Sequence, residues 1–140
     1  MLPTEAITRN FLAAYSDHDI DRMMDMCAEN LRFRYVPQGA EGTGGRDTAR
    51  RAWSMFVDAI PDFHVEVDRI LAAGDFAVAE TRQGGELAKD IPPMKANGRS
   101  THPPHVYILR FDQDGKIAEV TCYWDQDGIY ADLGHTEVHS

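Results

Sequence analysis

The groups best suited to proton transfer gather near the end of the chain. His105 and Tyr107 sit two residues apart on one extended run, and Tyr123 and Asp125 two apart on the next. Strand side chains alternate between faces, so each pair shares a face. Asp112-Gln113-Asp114-Gly115, between the runs, is a turn-forming cluster suited to a short antiparallel connection. With Phe111 opposite Ile117, Tyr107 falls near Thr121 and His105 near Tyr123, and Asp125 joins the same face. That face is apolar at the turn and carries imidazole, phenols and a carboxylate at its far end. A carboxylate partly desolvated by Tyr107, Tyr123 and Trp124 has its pKa raised towards the range of a useful general base. The competing reading of Asp125 is an ordinary solvated acid at a strand end.

Other chemistries find less support. His102-Pro-Pro-His105 invites a metal, but residues three apart on an extended segment point to opposite faces, and no HxH, HExxH or paired-cysteine spacing is present. No GxSxG elbow exists, and neither Cys27 nor Cys122 lies in a thiol-chemistry signature. Counting by twos from Asp125 turns Cys122 away from the proposed pocket. The four glycines within residues 38–45 match neither phosphate-binding loop pattern, so a lid or plain connection is the reading there. No metal and no cofactor is expected. His135 and His139 have helical spacing around Glu137, but residues 135–140 read as a frayed tail.

The elements that must position these groups follow from periodicity. Ile7, Phe11, Ala14 and Tyr15 form one helical stripe, and Ile20, Met23, Met24 and Cys27 a second. Leu31 to Val36 alternates as a half-buried strand with Arg32 and Arg34 outside. A third helix starts at Asp47 or Thr48, buries Ala49, Ala52, Trp53, Phe56 and Ile60, and stops at Pro61. From Phe63 the period becomes two. A strand follows, then a turn at Ala73-Gly74-Asp75, then a returning strand whose Ala77, Ala79 and Thr81 side is small enough to leave room for a ligand. Gly84 to Asn97 is irregular, and Asp127 to Leu133 makes one last helical turn. Helices gathered early and strands late indicate an α+β fold, with helices on the concave face of a curved, mixed, mostly antiparallel sheet. Such a sheet makes a cone whose mouth is a natural ligand site. Tyr15, Tyr35, Trp53, Phe56, Thr81 and Tyr123 are its candidate substrate contacts, and core packing is the alternative role for the aromatics.

Composition sets the bounds. A chain of 140 residues with no linker or repeat reads as one domain, residues 1–134, followed by the 135–140 tail. A net charge of −9 argues against nucleic acid and anionic membrane surfaces as partners. The two cysteines without metal or redox spacing, and the short apolar runs, lead to the expectation of a soluble cytoplasmic protein.

Several short pieces together resemble the SnoaL-like polyketide cyclases of the nuclear transport factor 2-like superfamily, the cone that also houses ketosteroid isomerases. They are Ala73-Gly74-Asp75, Ile91-Pro92-Pro93 with Gly98-Arg99, Phe111 with Asp114-Gly115-Lys116-Ile117, and Tyr123-Trp124-Asp125 followed by Ala131-Asp132-Leu133-Gly134. The resemblance implies a cofactor-free enzyme closing a ring in a polyketide ester by intramolecular aldol addition, with Asp125 as acid/base. His105 or Tyr107 would stabilise the enolate oxygen. The family's histidine on the preceding strand falls where this chain has Tyr107, and Thr81 stands where a mid-strand aromatic is common. An isomerase, a dehydratase, or a non-catalytic binding or dimerisation module of the same fold are the alternatives. Val106, Ile108, Ala118, Val120, Cys122 and Trp124 are assigned to the outer face, which suggests a homodimer packed sheet to sheet; the other expected partner is a hydrophobic small-molecule ligand or substrate.

Overall fold

In the computed structural model, residues 3–134 are described. The tail histidines His135 and His139 lie outside them. Helices α1 (Pro3–Ser16), α2 (Ile20–Asp25) and α3 (Arg46–Ala59) come early, and α4 (Gln126–Asp132) ends the described chain. The strands are β1 (Cys27–Tyr35), β2 (Thr43–Gly44), β3 (His64–Ala73), β4 (Phe76–Glu86), β5 (Ser100–Thr101), β6 (Pro104–Phe111) and β7 (Ile117–Trp124). They form one sheet in the order β2-β1-β7-β6-β4-β3, with β5 beside β4. Only β1 and β7 pair in parallel. The fold is the α+β cone expected, a curled mixed sheet with helices against its inner face.

Local chemistry explains the boundaries. Asp19 accepts from the Arg22 amide at 3.1 Å and starts α2. The second stripe stops short of its expected end, because Cys27 already belongs to β1 and pairs with Ile117. Helix α3 begins at Arg46 rather than at Asp47 or Thr48; Gly45 occupies its N-cap without a side-chain bond. Its stripe does go inward. Trp53 is fully buried and meets Phe11 at 5.4 Å and Phe33 at 5.6 Å, both edge to face. An irregularity between Val67 and Arg69 adds a residue to β3, a feature that bends a strand and helps a sheet curl.

The last hairpin carries the decisive correction. Phe111 does face Ile117, but Arg110 faces Glu119, so Ala118 is an extra residue on β7. A one-residue insertion sends every later side chain to the opposite face. Tyr107 therefore pairs with Cys122 and His105 with Trp124. Val120, Cys122 and Trp124 project inward, while Thr121 and Tyr123 project outward. The earlier placement of Val120, Cys122 and Trp124 on the outer face is overturned; Val120 and Cys122 are fully buried.

Candidate functional site

A hollow of about 70 Å³, partly open to solvent, lies between the inner face of the sheet, α3, α4 and the irregular stretch after β4. Its walls are mostly apolar, with Phe56, Ile60, Phe63, Leu87, Ile91, Met94 and Ile129 among them. Among the described residues no Asp, Glu, Lys or Arg lines it. The polar groups that do are His105, Gln38, Gln83, Gln126, Thr101 and the Tyr35 phenol.

His105 is the titratable group at the centre of this arrangement. It alternates inward on β6 and is 4% exposed. Its ring lies parallel to Trp124, with centroids 5.1 Å apart and an angle of 7°. Tyr107 lies 4.7 Å away, and Tyr35 meets it edge-on at 6.2 Å. The Nε2 atom is buried and has no hydrogen-bond partner among the described residues. Burial lowers the imidazole pKa from the ordinary 6.5 to about 3, because the cation would sit in a dry aromatic cage. At neutral pH the ring is the free base.

The aromatics around it hold two carboxamides. The Tyr107 hydroxyl donates a short hydrogen bond to Gln83 Oε1. Trp124 Nε1 donates to Gln126 Oε1 at 2.6 Å. Burial raises the Tyr107 and Tyr35 phenols well above their usual range, so both stay protonated. Tyr15 and Tyr35 lie close to each other without a hydrogen bond of ordinary geometry.

Of the residues singled out by sequence, the structure brings His105, Tyr35 and Phe56 to the hollow. Tyr107 lies behind it, joined through Gln83. Tyr15 and Trp53 are core, packed with Phe63 and with Phe11 and Phe33 respectively. Thr81 is buried, and its hydroxyl is satisfied by the His105 carbonyl at 2.7 Å, so it is a sheet strut rather than a ligand contact. Tyr123 is 43% exposed on the outer face. Asp125 is exposed too, and its carboxylate accepts from the Gly128 amide at 2.9 Å as the N-cap of α4. The expected desolvated base is a surface cap. His102 is exposed while His105 is buried, so the two do not converge on a metal. Among the described residues no group of three His, Cys, Asp or Glu does. Cys122 faces the core rather than away from it, and burial pushes its thiol pKa well up; that of Cys27 rises to about 12. Sequence reasoning missed Gln83 and Gln126, and set Trp124 on the outer face rather than against His105. Gln83 was within reach, since it continues the inward series Ala77, Ala79, Thr81.

A family model described as SnoaL-like polyketide cyclase matches residues 5–133, nearly the whole chain. The chain belongs to the SnoaL-like polyketide cyclase family. None of the curated protein sequences matches it. Among solved structures, TsrD from Streptomyces laurentii is 26% identical with a TM-score of 0.80, covering 95% of this chain and 96% of its own. IdmH from Streptomyces antibioticus, a candidate polyketide cyclase, has a TM-score of 0.82 at 18% identity, covering 94% and 98%. AclR from Streptomyces galilaeus, a candidate hydroxylase, reaches 0.83 at 17%, covering 98% and 88%. A candidate cyclase and a candidate hydroxylase share this backbone, so the likeness shows the architecture and leaves the reaction to the side chains. By its family this is a cyclase-type enzyme. No described helix is long and apolar enough to cross a membrane.

Proposed function

We propose that this SnoaL-like protein closes a ring in an uncharged, carbonyl-rich polyketide ester by intramolecular aldol addition, with His105 in the acid/base role that the sequence reading gave to Asp125. The observation that carries this is a free-base imidazole, its buried Nε2 unpartnered among the described residues, in the wall of an apolar hollow that no described Asp, Glu, Lys or Arg lines. The free-base imidazole takes the proton from a carbon between two carbonyls. With that C–H bond broken, the enolate carbon attacks a second carbonyl of the same molecule, forming a C–C bond as the carbonyl π pair moves onto oxygen. The imidazolium returns its proton to the new alkoxide, leaving an alcohol and the free base. A pKa of about 3 describes an imidazolium made alone. Here it forms beside an enolate anion, whose attraction in a dry site offsets the burial penalty.

Isomerisation and dehydration use the same proton transfers. The test is closure of an open-chain β-dicarbonyl methyl ester. His105→Phe is expected to slow it by about 10²–10⁴-fold, the usual worth of a positioned base. Closure unchanged in that variant would remove His105 from the chemistry, and no closure by the wild type would favour a binding module. We also propose a homodimer through the outer sheet face. The support is a patch of Leu71, Phe76 and Tyr123, exposed by 43–56%, around half-buried Val78, Val106 and Ile108.

A further inference from the structure

Two glutamines of the hollow are held in the same way, and this bears on what the site binds. A carboxamide has one acceptor oxygen and one NH₂ donor group, and which end faces a ligand depends on what holds the other. For Gln83 the oxygen is occupied by the Tyr107 hydroxyl, and for Gln126 by the Trp124 indole N–H. Both glutamines line the hollow, so in each case the NH₂ end is left for a ligand. The sheet makes the first arrangement possible. Gln83, Thr81 and the small Ala79 project from the same face of β4, and Ala79 is the register partner of Tyr107. The small residues between Tyr107 and Gln83 leave the phenol a clear path along the face. Tyr107 is fully buried, so it has no water to compete for its proton. The second arrangement sits beside the His105 ring, because Trp124 is the residue stacked on it.

We propose that Tyr107 and Trp124 are positioning residues that turn Gln83 and Gln126 into fixed N–H donors, so that the site selects ligands offering two acceptor oxygens, such as a β-dicarbonyl or its enolate. This rests on the reading of the hollow as the reacting site and names what that site recognises. Tyr107 then acts through Gln83 rather than by touching the ligand. A free carboxamide could rotate and offer its oxygen, which would repel an enolate; the Trp124 indole can only donate and so holds Gln126 against this, and the Tyr107 proton on the Gln83 oxygen favours the same end for Gln83.

The test compares binding of 1-phenylbutane-1,3-dione, a β-diketone, with butylbenzene, which has a similar apolar body and no acceptor. Wild type is expected to bind the diketone at least tenfold more tightly. Tyr107→Phe should cut that preference by about tenfold, the worth of one oriented hydrogen bond to a partly charged acceptor, while butylbenzene binding stays within about twofold. Gln83→Leu should cause the same loss, and adding Tyr107→Phe to it should cause no more. If Tyr107→Phe fails to fold, Gln126→Leu provides the parallel reading with its own loss of preference. A wild-type preference that survives Tyr107→Phe and Gln83→Leu overturns the positioning role while leaving the proposed chemistry standing. Equal weakening of both probes by Tyr107→Phe also overturns it, since that is the mark of a merely structural residue. No preference in the wild type would overturn both the inference and the enolate chemistry beneath it.

Discussion

His105 shows how one buried imidazole couples chemistry to stability. Its ring is free base when folded down to about pH 3, whereas an unfolded chain would protonate it near 6.5. Between those values the unfolded state binds the extra proton, so stability falls as pH drops below 6.5 and is unaffected above it. The slope expected from this one group is about 1.4 kcal/mol per pH unit. Denaturant unfolding from pH 7 to pH 4.5 should show that slope as the difference between wild type and His105→Phe. Parallel curves would mean that the imidazole is hydrated. The same cage predicts that ring closure keeps its rate from pH 7 down to pH 5, where an ordinary histidine base would already be protonated. Sequence alternation alone sent His105 inward, because Pro104–Phe111 runs through the sheet without a break. It could not supply the pKa, which depends on Trp124 arriving from the other strand.

Hairpin β6–β7 and helix α4 decide what Asp125 is. The bulge at Ala118 reverses the parity of β7, and the chain enters α4 with Asp125 as its first cap. Gly128 fits this arrangement, since a Cβ there would meet the Asp125 carboxylate at 2.5 Å. Replacing Asp125 by Ala should therefore destabilise the protein by roughly 0.5–2 kcal/mol, the range for a lost cap. Asp125→Asn, an equally good cap, should leave both melting and turnover nearly unchanged; a large loss of turnover in the asparagine variant would return Asp125 to the mechanism. The bulge left one trace in the sequence. With Ile117 inward, strict alternation would bury Glu119, an unpaired charge in the core. The extra residue instead lets Glu119 reach Arg110 at 3.3 Å on the outer face. Periodicity counted without that penalty misplaces all of β7. The glutamines were passed over for a different reason: a carboxamide has no spacing signature, and its value here comes from aromatic donors on other parts of the chain.

At the scale of the molecule, the cone and its helix order were legible because stripes and alternation are properties of single elements. The apolar outer patch was legible only in part. Val106 and Ile108 are on that face as expected, but its other members come from Leu71, Phe76, Val78 and Tyr123, which the register places alongside them. If a second copy covers this patch, wild type should run at twice the monomer mass at micromolar concentration, and Ile108→Asp should return it to 15.7 kDa. A monomeric wild type would contradict the dimer without touching the hollow, which lies on the other side of the sheet.

Proton abstraction itself gives the most direct test of the whole account. Exchange of the central C–H of 1-phenylbutane-1,3-dione for deuterium in D₂O, followed by NMR, isolates the first step from ring closure. The wild type should accelerate exchange, His105→Phe should lose that acceleration by at least about a hundredfold, and Asp125→Asn should retain it. Exchange indifferent to His105, or abolished with Asp125, would contradict the account.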